Sequence, residues 1–146
     1  MHKMMQAAIA QAHKAKQLGE IPVGAVVVRD GEIIGAGYNQ KESLNDPTAH
    51  AEIIAIRNAA RSLGTWRLND CALYVTAEPC PMCMGAVIQA HISKLVYGVS
   101  ELRYGGVEST CDLRHHPQLP KDMVIYPGIC ETECAQLLKD FFKEIR

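Results

Sequence analysis

Two short blocks of the chain hold one imidazole, one carboxylate and two thiols: His50-Ala51-Glu52, and thirty residues on, Cys80-Pro81-Met82-Cys83. Each half has an ordinary reading. Cysteines three apart on the first turn of a helix share one face, and the positive end of the helix favours their thiolates, so the pair could grip one metal ion. A Cys-x-x-Cys also fits a thioredoxin-like redox pair. Alone, His50 reads as a satisfied histidine at a helix start, and Glu52 as a first-turn acid complementing the helix dipole.

Together the four support a more specific chemistry. One His and two Cys make three protein ligands, a pattern of catalytic zinc that leaves a fourth position for water. A structural zinc site wants a fourth protein ligand. Cys71, Cys111, Cys130, Cys134, His115 and His116 could supply one, but none stands at a tight spacing to the pair. Zinc lowers the pKa of a bound water to about 7, and a carboxylate beside it can take and return the proton. Glu52 is placed for that work. Glu78, just before Pro79-Cys80, competes for it, but reads better as a support for the loop or for a ligand.

Residues 3–18 put Met4, Ala8, Ile9, Ala12, Ala15 and Leu18 near one helical face, with Gly19 as the stop. Residues 21–39 read as two strands around an Asp30-Gly31 turn. Residues 49–64 read as a helix with Ile53, Ile56 and Ala60 inward, ended by Gly64. The continuous apolar run Cys71–Ala77 has the pattern of a central strand covered on both faces. A helix follows over 81–91 with Pro81 in its first turn, then a buried strand over 94–99. Residues 100–122 are irregular. A last strand is expected over 122–126 and an amphipathic helix over 130–146. Helices alternating with buried strands predict an α/β layered sandwich around one mixed sheet, opening with an antiparallel hairpin.

The 146 residues suit one domain, 1–146, with one core. Apolar residues make up 48% and charged residues 21%, and no run is long enough to span a bilayer, so no membrane association is expected. Charged and polar residues break up the N-terminal segment, so it does not read as a signal peptide, and the expected setting is cytoplasmic, where thiols stay reduced. A net charge of −1 argues against a protein that grips long stretches of phosphate backbone; any nucleic-acid contact must be local.

His-Ala-Glu followed by Pro-Cys-Pro-Met-Cys resembles the zinc-dependent cytidine/deoxycytidylate deaminase superfamily, whose known signature it matches. "NDPTAHAEI", "LYVTAEPCPMC" with "GAVI" behind it, "DLRHHP" and "ECAQLLKDFF" are similar to the bacterial tRNA-specific adenosine deaminases, which make inosine at the anticodon wobble position. The likeness covers roughly residues 4–146. It implies zinc, one per chain, on His50, Cys80 and Cys83, with Glu52 shuttling protons. It further implies that Asn39 hydrogen-bonds the target base and that Phe142, Lys143 and Arg146 lie on a C-terminal helix that contacts RNA. The implied fold is a three-layer α/β/α sandwich with a mixed five-stranded sheet, the implied assembly a homodimer, and the implied partner a tRNA anticodon loop.

Three positions depart from that family's common pattern. Ala77 stands where leucine is usual, Arg103 replaces a lysine, and Glu108 takes a glycine position. All three are expected in loops that face substrate, with Arg103 across the pocket from the C-terminal helix. The alternative is deamination of a free nucleobase or nucleoside, such as guanine or cytosine, on the same scaffold. A non-enzymatic zinc module has no use for Glu52 beside an open coordination position.

Overall fold

The structure, a computed structural model, describes residues 1–145. Its elements run α1 (His2–Gln17), β1 (Gly24–Arg29), β2 (Glu32–Tyr38), α2 (Ala51–Leu63), β3 (Cys71–Ala77), α3 (Pro81–Ala90), β4 (Lys94–Val99), β5 (Val124–Tyr126) and α4 (Glu131–Glu144). The five strands form one mixed sheet in the order β2-β1-β3-β4-β5. β1 pairs antiparallel with both β2 and β3, while β3, β4 and β5 run parallel. Asp30 and Gly31 both take positive φ, 51° and 76°, as the tight turn of a twisted hairpin requires.

Alternation along the strands separates the two faces of the sheet. Val26, Val28, Ala72, Tyr74 and Val96 point to one side, against Met5, Ala8, Ile9 and Ala12 of α1 and Cys134 and Leu137 of α4. Ala25, Val27, Leu73, Val75, Leu95 and Tyr97 point to the other, against Ala51, Ala55 and Ala59 of α2 and Met84 and Val87 of α3. Every residue of β3 is buried, because helices cover it on both faces. The result is the three-layer α/β/α sandwich with a mixed five-stranded sheet that the resemblance implied.

Two helix faces differ from the periodicity. On α1, Leu18 lies past the last turn and is exposed, while Met5 is fully buried. On α2 the fully buried positions are Ala51, Ala55 and Ala59, with Ile53, Ile56 and Ala60 only partly covered. The cause lies on β2. A Cβ at Gly35 would collide with the backbone of Ala55 and Ala59, and one at Gly37 with that of Ala51 and Ala55. Glycine facing alanine lets this helix approach the strand more closely than isoleucines would allow. Gly35→Ala should therefore cost about 1–3 kcal/mol of stability, since α2 must back away as a unit. Calorimetry of the zinc-loaded protein would register this as a lower Tm. An unchanged Tm would show that α2 does not depend on that contact.

The terminal strand is shorter than expected, Val124–Tyr126 within 122–126, and forms a partly exposed edge. Register places the start of β1 beside the ends of β2 and β3, and the end of β3 beside the end of β4. The segments at that end of the sheet, 18–23, 39–50, 78–80 and 100–106, therefore converge. Among the described residues no helix is long and apolar enough to cross a membrane.

Candidate active site

Two helix N-termini meet at this end of the sheet. His50 is the N-cap of α2 and Cys80 the N-cap of α3, both with extended backbone. The Asp46-Pro47-Thr48 turn delivers His50: Asp46 Oδ1 accepts from the Thr48 N–H at 2.8 Å and from its hydroxyl at 2.7 Å. Cys83 lies one turn into α3 and is fully buried. His50 Nδ1 stands 3.6 Å from Cys80 Sγ and 3.5 Å from Cys83 Sγ, and all three ligand atoms lie within 4.8 Å of one another. Tetrahedral zinc with ordinary Zn–S and Zn–N bonds sets such N···S separations at about 3.6 Å. The donor set and its spacing thus fit zinc.

The protonation states reflect the crowding. Cys80 is drawn down to about 4, first by a hydrogen bond from Cys83 and also by His50. Cys83 moves the opposite way, its proton held by Cys80 and by burial. His50 is raised, chiefly by its hydrogen bond to Cys80. Burial pushes the Glu52 carboxyl up to about 7, against hydrogen bonding and the pull of His50. Glu52 is only 4% exposed, yet it lines the cavity beside His50 and Cys80. A dication among these groups favours the thiolates and the carboxylate.

The cavity encloses about 410 Å³. Ile21 and Val23 come from the segment after α1, Asn39 and Lys41 from the end of β2, and Ala77, Glu78 and Cys80 from the β3–α3 connection. Glu101 and Tyr104 enter from the loop after β4. A second cavity of about 270 Å³, lined in part by Asp70, His91 and Asp122, lies at the opposite end of the sheet and shares none of these residues.

Asn39 is held by the backbone: its Nδ2 donates to the Ile21 carbonyl at 3.2 Å and its Oδ1 accepts from the Lys41 N–H at 3.1 Å. One amide hydrogen and one lone pair remain for a ligand. Glu78 supports the loop rather than competing with Glu52. Its carboxylate accepts from the N–H groups of Glu101, Val107, Glu108 and Ser109 and from the Ser109 hydroxyl. Burial alone would raise its pKa, and these bonds hold it below the usual carboxylate value.

The other expected positions sit further out. Arg103 is exposed and outside the cavity lining, though Glu101 and Tyr104 on either side of it belong to that lining. Phe142 is 41% exposed and stacks edge-on against the buried Phe141 at 5.4 Å, and Lys143 is exposed. Both lie toward the end of α4 that an ion pair, Lys16 to Glu144 at 3.5 Å, joins to the end of α1, from which the cavity-lining segment 18–23 departs. Arg146 lies outside the described residues. Ala77 is not in a loop: it is the last residue of β3, buried, and forms part of the cavity wall. Glu108 is not part of that wall: it accepts from the Tyr97 hydroxyl at 3.1 Å and from Arg114 at 2.9 Å, a brace between β4 and its own segment. Its partners are eleven and six residues away and are not evident from the local sequence.

Glu20 went unread in the sequence. It is 1% exposed and accepts from the N–H of Glu42 at 3.1 Å and from the N–H and hydroxyl of Ser43, each at 2.6 Å. It thereby ties the segment carrying Asn39 and Lys41 to the segment carrying Ile21. Nothing near Glu20 in sequence marks it, because its partners lie more than twenty residues on.

The sequence model of the cytidine and deoxycytidylate deaminase zinc-binding region matches residues 1–99. The tRNA-specific adenosine deaminase of Haemophilus influenzae is 44% identical over 145 residues, covering 99% of this chain and 84% of that protein. The chloroplastic tRNA(adenine(34)) deaminase of Arabidopsis thaliana is 44% identical over 156 residues, but this chain spans 12% of its length. A solved structure from work on A-to-I editing by tRNA:A34 deaminases at the wobble position of transfer RNA superposes with a TM-score of 0.89 at 40% identity. That match covers 94% of this chain and 100% of the other.

Proposed function

Because the chain belongs to the cytidine and deoxycytidylate deaminase family, whose zinc-binding region it carries, we propose that it hydrolyses adenosine to inosine at the wobble position of tRNA, releasing ammonia. One observation carries the reading: a His-Cys-Cys set with zinc spacing has two members, His50 and Cys80, in the wall of a cavity that the buried carboxylate of Glu52 also lines. Full-length similarity to a tRNA-specific adenosine deaminase supports the choice of substrate.

In this reading His50, Cys80 and Cys83 hold zinc, and Glu52 moves the protons. When bound, zinc supplies the Lewis acidity that makes water a competent nucleophile near neutral pH. Glu52 accepts a proton from the attacking water and returns it to a ring nitrogen of the base. A second transfer protonates the departing amine. Burial works against the charged form of Glu52 and a dication works for it, so the side chain is balanced between taking a proton and giving one. Asn39 holds the base edge, using the donor and acceptor capacity that the backbone leaves free. Arg103, Phe142, Lys143 and Arg146 contact the RNA outside the cavity. The reading includes a homodimer and a cytoplasmic setting, where a reducing milieu keeps thiol ligands available.

A substrate panel tests this. Pure zinc-loaded protein is incubated with a tRNA anticodon hairpin bearing a wobble adenosine, and separately with adenosine, guanine and cytosine, while inosine and ammonia are measured. Conversion of the hairpin with little turnover of free bases is the expected result. An untouched hairpin beside rapid deamination of a free base would overturn the tRNA assignment.

A further inference from the structure

Of the residues lining the cavity, Glu52 is buried and His50, Cys80 and Asn39 are half-buried, while Ile21, Lys41 and Tyr104 are exposed, Ile21 and Tyr104 to 42% and 67%. Tyr104 thus lines the cavity with two thirds of its surface in solvent.

The backbone that follows Tyr104 is held in place. Gly105 and Gly106 are buried. A Cβ on Gly105 would collide with the Glu78 carboxylate, and one on Gly106 with the backbone of Cys80 and Pro81. The Gly105 N–H donates to the Glu101 carbonyl at 2.8 Å and the Gly106 N–H to the Pro79 carbonyl at 2.7 Å. The Gly105 carbonyl accepts from the Thr110 hydroxyl at 2.8 Å. Residues 105 and 106 are thus packed onto the connection that carries Cys80, while 102–104 project from it. An exposed aromatic on an anchored backbone loses little freedom when it binds.

Resting on the RNA reading, we propose that Tyr104 is the stacking platform for the base of a nucleotide flanking the target adenosine. Single-stranded RNA recognition splays neighbouring bases and stacks them on aromatic side chains. Lys41, on the same cavity, is placed to neutralise a phosphate of that strand.

The test uses full-length zinc-loaded protein and an anticodon hairpin, intact and with each nucleotide flanking the target made abasic in turn. Stacking one base on an aromatic contributes about 10-fold or more in affinity. Tyr104→Ala should raise KM for the intact hairpin by about 10-fold with kcat unchanged, the sign of binding shared by ground and transition states. Tyr104→Phe should behave as wild type. One abasic hairpin should lose the same factor with wild type and lose nothing further with Tyr104→Ala. If the Tyr104→Ala penalty persists undiminished on every abasic hairpin, or never appears, the assignment fails while the RNA reading stands. If Tyr104→Ala changes the oligomeric state in sedimentation, the ring belongs to an interface between copies and the assignment also fails. If wild type leaves the intact hairpin untouched, the RNA reading fails and Tyr104 falls with it.

Discussion

Glu52→Gln should retain one zinc per chain and the wild-type fold, yet lose deamination by about 10²–10⁴-fold, the range expected when a positioned acid-base group is removed. The substitution keeps the size of the side chain and one acceptor oxygen, replaces the other oxygen by an NH2 donor, and removes its ability to take a proton. Glu52 is buried to 4% exposure, and an amide needs less desolvation than a carboxylate there, so stability should not fall. Zinc content by atomic spectroscopy and single-turnover deamination of the hairpin separate the possibilities. Near-normal turnover would remove Glu52 from the chemistry. Loss of zinc would make it a ligand, a role left unfilled by the geometry, in which the clustered donors are His50, Cys80 and Cys83.

The part of the site nearest the metal was legible because it is local. His50 and Glu52 are two apart at the start of α2, and Cys80 and Cys83 three apart at the start of α3, so helical geometry alone orients each pair. Joining the pairs needs β2 and β3 to run in the same direction, each antiparallel to β1, so that α2 and α3 start at the same end of the sheet. The element order was equally legible, since strands covered on both faces are continuous apolar runs. What surrounds the metal residues was legible only in part. Glu78 reads as a loop support from its place before Cys80, but not which groups it holds, four N–H groups from 101–109; Glu20, which clamps Glu42 and Ser43, was not read at all, and these bonds span 22 to 31 residues. Nothing local in a sequence distinguishes a carboxylate such as Glu20 from any other surface acid. The buried face of α2 was misjudged for a related reason: periodicity weights isoleucine over alanine, but the packing was decided by glycines on a different element, Gly35 and Gly37. Glu108 looked substrate-facing because its loop is, whereas its carboxylate turns toward Tyr97 and Arg114.

Cys83→Ala should abolish zinc retention and, with it, all measurable activity. The two thiolates together cancel the charge of a zinc dication, and the neutral imidazole adds a third bond without adding charge. Removing Cys83 leaves one thiolate and one imidazole, a set that cannot neutralise the ion, and takes away a fully buried ligand. Zinc should therefore be absent after gel filtration. Cys111→Ala, at an exposed position away from the cluster, should keep its zinc and serves as the control. Thermal unfolding adds a second readout. Ligand binding to the native state contributes stability that grows with the logarithm of free ligand over Kd. Wild type treated with chelator should therefore melt lower than untreated protein, while Cys83→Ala should melt at the same temperature with or without chelator. Stoichiometric zinc in Cys83→Ala would show that the metal is held elsewhere, and a chelator-sensitive melting temperature in that variant would point to the same conclusion by an independent route.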